Sequence, residues 1–399
     1  MRTKARSLVS LPLVGLSLVG LACAPQAVQD PRFAEAAAPR LTVTQVAAGG
    51  SFTCALVSDA SVWCWGLNEL GELGDGTSND RAFPRQVTAL AGAVQIAAGG
   101  EHACARMNDG AVRCWGSNGR GQLGDGTLTE RRAPVVVPGL SGVVDIAAGT
   151  SHTCARVASG ALSCWGDNVF GQLGDGTATP RSTPAAVKEL QGATAMALGG
   201  ARTCAIVERG KVRCWGWDLE GSFKDKDRTK PTEIEGITGA TQIAVASSHA
   251  CARLETGRVR CWGVVQGVTL GDAKSDVDAL TDVEEIALGR EHGCARIANG
   301  TVRCWGFNTH GELGSGKDDD AARAVLVANL DNTTQLSAST FHTCARTRDG
   351  SVRCWGYNEH GQLGDGTRVH CGVPVTTRVF ASPEECKRAV DARRVKKLH

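Results

Sequence analysis

Residues 93–127 read AVQIAAGGEHACARMNDGAVRCWGSNGRGQLGDGT, and the placing of Cys104 and Cys114 in this stretch decides how the chain folds. Short β-favouring runs (VQIAA, HACAR, AVRCW) alternate with glycine turns, and no helical period spans them. If the two cysteines face each other across a hairpin, Met107 opposes Ala111 and the loop is Asn108-Asp109-Gly110. A three-residue loop of this kind wants its last position left-handed, where glycine carries no Cβ penalty. A two-residue turn would set each cysteine opposite some other residue. Spacing and turn chemistry therefore agree on a cross-strand disulfide.

The pattern is written seven times. Cysteines ten apart pair as Cys54 with Cys64, Cys104 with Cys114, Cys154 with Cys164, Cys204 with Cys214, Cys251 with Cys261, Cys294 with Cys304 and Cys344 with Cys354. The third loop position is glycine in six copies (Gly110, Gly160, Gly210, Gly257, Gly300, Gly350) and Ala60 in the first. The period is 50 residues, shortened to 47 and 43 around the fourth and fifth copies. About four strands at that period is the signature of a propeller blade. A tryptophan follows every second cysteine, so it points to the opposite sheet face and reads as core between blades.

Composition narrows the function. With 43 basic and 41 acidic residues the net charge is +2, which argues against the basic stripe of a nucleic-acid binder. Seventeen cysteines do not suit a reducing compartment unless they hold metal. Arg2, Lys4 and Arg6 precede an uncharged run from Leu8 to Ala22, a signal-peptide layout too short for a comfortable membrane span. The run ends VGLAC at Cys23, which resembles the lipobox of bacterial lipoproteins, although Gly20 stands where leucine is more usual. Cleavage after Ala24 is the alternative, but Pro25 would follow the cut. Ala24 in place of aspartate implies the outer membrane or cell surface. Free, buried thiols are the alternative to disulfides that export disfavours.

WGxNxxGQLGDGT, preceded by AAGxxHxC, resembles the repeat of the regulator of chromosome condensation family. The resemblance covers residues 41–380 and implies an all-β, seven-bladed β-propeller. The fourth copy departs from it (WGWDLEGSFKDKDRTK) and the fifth keeps a remnant (WGVVQGVTLGDAKSD), so either is a specialised loop or a decayed repeat. The expected organisation is a lipoprotein signal peptide over 1–22, a linker over 23–40 after lipidated Cys23, the propeller over 41–380 and a short helical tail over 381–399. Ser382, Pro383 and Glu385 form a start signal for that tail helix. The remaining cysteines, Cys371 and Cys386, are expected to pair, stapling the tail to the last blade.

No motif calls for a cofactor or metal. Zinc would need cysteines closer together, and His152 is replaced by Phe52 and Arg202 in copies that keep both cysteines. These histidines are expected to bond backbone of a neighbouring blade. Asp75, Asp125, Asp175 and Asp365 each bring one carboxylate per loop, too few for calcium, and read as turn formers. The glycines of GQLGDG are not followed by the Lys-Ser/Thr of a phosphate loop. No nucleophile, base and orienting group occur once in a converging pattern.

Function is therefore expected on loops. If VQIAA runs up, HACAR down and AVRCW up, the AAGxxH turns and WGxNxxGQLGDGT loops share one rim. Leu67, Leu70, Arg120, Phe170, Trp217, Phe223, Phe307, His310, Tyr357 and His360 fall at its variable positions. Aromatics and arginine there suit an interface, though such residues could equally just cover the blade tops. The reading is a monomeric, lipid-anchored binding module for a protein or glycan of unknown identity, touching the membrane only through its lipid. An inhibitor of an extracellular enzyme, known among secreted bacterial members of the repeat family, and an enzyme sited in the propeller funnel are the alternatives. Nucleotide exchange on a GTPase, known for the eukaryotic relative, does not suit an exported chain.

Overall fold

Each copy folds as an antiparallel meander because its apolar runs are short and its turns are glycine-rich. In the computed structural model, which describes residues 41–218, 228–265, 268–277 and 280–379, the first copy supplies β1 (Val43–Ala48), β2 (Phe52–Val57), β3 (Val62–Gly66) and β4 (Arg81–Gln86). They hydrogen-bond in that order, and six further four-stranded sheets repeat the arrangement. The described chain is an all-β propeller of seven blades. Every blade draws its four strands from one continuous stretch of sequence, so among the described residues no strand is exchanged to close the ring. First strands line the axis; outermost strands such as β4 are half-buried or exposed.

The hairpin register is the expected one. Cys54 faces Cys64, the same pairing recurs six times, and all seven pairs are disulfides with Cα atoms 4.0–4.1 Å apart. The loop glycines adopt positive φ, for example +80° at Gly110, and Ala60 is forced to +66°. Cys371 opens the last strand opposite Gly356, half-buried and without a disulfide among the described residues. Its expected partner Cys386 lies outside them, as do Cys23, residues 1–40, Phe223 and the tail over 381–399.

Seven apolar cores separate the blades, and sulfur and indole share each of them. Cys54 and Cys64 pack with Trp115 of the second blade, and the pattern continues around the ring until Cys344 and Cys354 meet Trp65. Opposite faces within one sheet thus become one shared layer between sheets. Burying a tryptophan removes about 200 Å² from water, at most ~5 kcal/mol each. The indole nitrogens of Trp65, Trp115, Trp165 and Trp355 donate to carbonyls of Gln362, Glu72, Gln122 and Glu312, 2.7–2.9 Å away in the preceding blade.

Polar ties cross the same joints. Gln45 bridges to the backbone of Ile96 through both ends of its amide, and Gln95, Gln242 and Gln335 do likewise at later joints. The repeated histidine reaches a side-chain hydroxyl, not the backbone group expected of it. His102, His152, His292 and His342 sit 2.8 Å from the hydroxyls of Thr153, Thr203, Thr343 and Thr53, the last contact closing the ring. Thr153, Thr203 and Thr53 donate their own protons to backbone carbonyls, so at these three joints the imidazole Nε2 must be the donor. Burial pushes His102 and His292 down to about 4, and His152 and His342 to about 3.

Where the histidine is absent the threonine is absent too. Phe52 meets the blade carrying Ala103, and Arg202, ion-paired with Asp218, meets the one carrying Ala250. His249 is the exception, with both ring nitrogens unpartnered among the described residues. Its next blade has Gly293, where a Cβ would stand 2.4 Å from the Trp305 ring. Indole has taken the space a threonine needs.

Candidate functional site

Strand direction places the AAGxxH turns and the WGxN loops together, and backbone bonds tie them. The amides of Leu67, Ser117, Asp167, Trp217, Val264, Phe307 and Tyr357 donate to the carbonyls of Ser51, Glu101, Ser151, Ala201, Ser248, Glu291 and Phe341 at 2.8–3.1 Å. Inside this ring the turns surround the axis. Gly50 donates to Gly99 and Gly100, Gly100 to Gly149 and Thr150, and Thr150 to Gly200. They enclose a cavity of about 100 Å³, open to solvent and lined mainly by glycine, alanine and hydroxyl residues. The loop hairpins tie instead to the residues before each first strand, as Asn108 does to Gly92, at the opposite face.

The loops of the face are held from below. Asn68, wholly buried, donates to Asp75 and to the Thr77 and Asn79 carbonyls, and accepts from the Leu73 amide. Asn118, Asn168 and Asn358 do the same. Asp75, Asp125 and Asp175 accept the amide two residues on, as expected of turn formers. They also pair with Arg81, Arg131 and Arg181, six residues later, a recurrence visible in the sequence but not anticipated. Burial alone would raise these carboxyls; hydroxyl and amide bonds from Thr77, Thr127 and Thr177, with the guanidinium, hold them below the usual range.

Glu72 breaks the pattern. Gln122, Gln172 and Gln362 occupy its place in three other blades, and the sixth has Glu312, whose second oxygen is taken by His310. The Oε2 of Glu72 accepts the Leu70 amide, while its Oε1 has no partner among the described residues. Gln122 and Gln172 find Ser117 and Asp167 with their second group, where the first blade offers only Leu67. Burial pushes Glu72 up to about 7.

The expected rim residues divide into sectors. Phe170, 43% exposed, stacks on Trp217 at 5.6 Å between centroids, spanning the third and fourth blades. On the far side, His310 meets Tyr357 edge-on at 5.0 Å and His360 lies 6.4 Å from the same ring. Two residues that sequence reasoning missed complete this second sector: Phe341, 6.0 Å from Tyr357, and His370, stacked on it at 4.8 Å. Phe341 carried a signal, since other copies place serine, alanine or glutamate at that turn position. His370 carried none; its Nδ1 accepts the Asn358 amide, a task done by Asp80 for Asn68 and Asp320 for Asn308. Carboxylates fix the other imidazoles, Glu312 against His310 and Asp80 against His360, each at 3.0 Å. Leu67, Leu70 and Phe307 are half-buried and Arg120 exposed, and none has a ring contact among the described residues.

Family models agree with this architecture. A model of the RCC1-like domain matches residues 19–281, and models of the regulator of chromosome condensation (RCC1) repeat match residues 283–312, 334–362 and 349–392. No match is found among curated proteins. Among solved structures, Prp20p from Saccharomyces cerevisiae, described with its binding properties to Gsp1p and histones, aligns with a TM-score of 0.72 at 23% identity, covering 84% of this chain and 94% of that one. Human WBSCR16 gives 0.70 at 20%, covering 77% and 87%. The ectodomain of the Physcomitrella patens receptor kinase CR4 gives 0.52 at 19%, covering 79% and 74%. At such identities the likeness carries the fold alone.

Proposed function

We propose, from the premise that this chain belongs to the RCC1-like propeller family, that it is a binding module whose partner docks on the face of AAGxxH turns and WGxN loops. The carrying observation is the contrast within that face. Its scaffold residues repeat and are buried, whereas its variable positions gather into two aromatic sectors. Exposed or half-exposed aromatic rings on rigid loops are what interface hot spots use. Prp20p, of the same fold, supports a binding role in general; its partners Gsp1p and histones are not carried over. The N-terminal segment favours an exported chain anchored by lipid on Cys23 at the bacterial envelope, away from cytosolic GTPases. Disulfides in every blade favour the same compartment.

The test is crosslinking capture from intact cell envelopes with wild type and with Phe170, Trp217, Phe307 and Tyr357 together replaced by alanine. The wild type recovers a small, reproducible set of partners that the folded variant loses. Equal recovery by both overturns the assignment of the face. Cys23→Ala in the same experiment releases the protein from the membrane fraction; unchanged fractionation overturns the anchor.

A further inference from the structure

The mouth of the propeller is chemically lopsided. Six of the seven turns around it place glycine, serine or threonine where the sixth places Arg290. Among the described residues it is the one charged side chain lining the cavity. Its side chain is 54% exposed, and its guanidinium carbon lies 5.9 Å from the centroid of Phe341, the next turn's sole aromatic. That placement restrains a long side chain over an aromatic ring. Among the described residues, no hydrogen bond engages the guanidinium; Glu291 approaches Nε only to 3.9 Å. Thr340 and Ser339 add hydroxyls to the same side of the cavity. Phe341 continues outward into the Tyr357, His310 and His370 sector.

We infer that this mouth takes a carboxylate from a polypeptide partner, an aspartate or glutamate side chain or a C-terminus, with the aromatic sector seating an apolar residue beside it. The inference rests on the binding-face reading above and names the chemistry of its occupant. A pre-oriented, incompletely used guanidinium is a carboxylate receptor, and its planar fork makes two parallel bonds where lysine makes one. Glu291 stands as the internal competitor that a partner carboxylate displaces. A neutral or basic occupant would leave Arg290 unanswered in the cavity wall.

A random peptide library displayed on phage and selected on the full chain tests this directly. Selected peptides carry an acidic residue next to an aromatic or aliphatic one. Arg290→Gln weakens a synthetic copy of them by about ten- to a hundredfold, the range of a hydrogen bond between charged groups. Glu291→Gln strengthens it by about threefold, as expected on removing a half-exposed competitor. Ser159→Ala, in a hairpin loop at the opposite face, leaves it unchanged. Selection of neutral or basic peptides, no enrichment, or indifference to Arg290→Gln overturns the carboxylate site. Peptides lost with Phe170→Ala but not with Arg290→Gln overturn it while keeping the face, and peptides indifferent to both count against the face as well. Melting curves of each variant exclude loss of fold.

Discussion

Ala60 holds a backbone conformation that six other copies give to glycine, with φ at +66°. An L-residue there costs about 1–2 kcal/mol, part of which glycine returns through its freer unfolded chain. Ala60→Gly is therefore expected to stabilise the protein by ~1 kcal/mol, read as a higher denaturant midpoint at unchanged slope. Glu72 is a second local misfit. Its folded pKa of about 7 lies above the ordinary carboxyl value, so its contribution is intact at low pH and is lost as pH rises through 7. Glu72→Gln should leave melting near pH 4 unchanged and raise it at pH 8; an equal gain at both pH values would contradict a titrating carboxyl. Ala60 was legible as a departure from the repeat, because seven copies serve as each other's controls, whereas Glu72 was not, since Glu312 stands at the same place in the sixth copy. What the departure does was legible too at Ala60, where backbone geometry follows from the loop itself.

At the scale of elements, hairpins were read correctly and joints were not. Cysteine spacing, turn glycine and period-two burial act within one blade, so a single sequence exposes them. Three His–Thr contacts connect residues 51 apart in different sheets and the fourth residues 289 apart, and nothing local says that position 102 lies beside position 153. The same gap hid the sharing of one layer by Cys54, Cys64 and Trp115. Thr153→Val removes the acceptor of His102 and the donor to Gln122, and unmade buried hydrogen bonds of this kind cost about 1–3 kcal/mol each. A melting loss of that size is expected. Five buried imidazoles (His102, His152, His249, His292, His342) have lowered folded pKa values, so their stabilising contribution holds above about 6.5 and drains as pH falls toward 4. The melting temperature should drop steeply below pH 6, by more than the other groups account for. Intact mass under denaturing, non-reducing conditions should fall fourteen hydrogens below the reduced mass for the seven bridges, and sixteen if Cys371 also pairs with Cys386. Each bridge is worth about 3 kcal/mol by loop entropy.

Over the described residues the ring is closed by backbone and side-chain bonds together, with the Gly366 amide donating to the Ala82 carbonyl at 3.0 Å and no strand shared between the first and last blades. His342 with Thr53, Gln335 with Val46, Ser337 with Ala48 and Trp65 with Gln362 join the last blade to the first. Blade number, ring and shared face followed from the repeat and the direction of its strands. The sector around Tyr357 did not, because Phe341 and His370 come from two separate loops of the seventh blade and His310 from a loop of the sixth, which only the joint between the blades brings to them. The central claim is that the partner meets this face rather than the hairpin face. A photo-crosslinking residue placed singly at positions 170, 357, 109 and 159 tests it in intact cells. The same partner adduct is predicted from 170 and 357, with none from the hairpin positions 109 and 159; adducts from 109 and 159 alone would contradict the account.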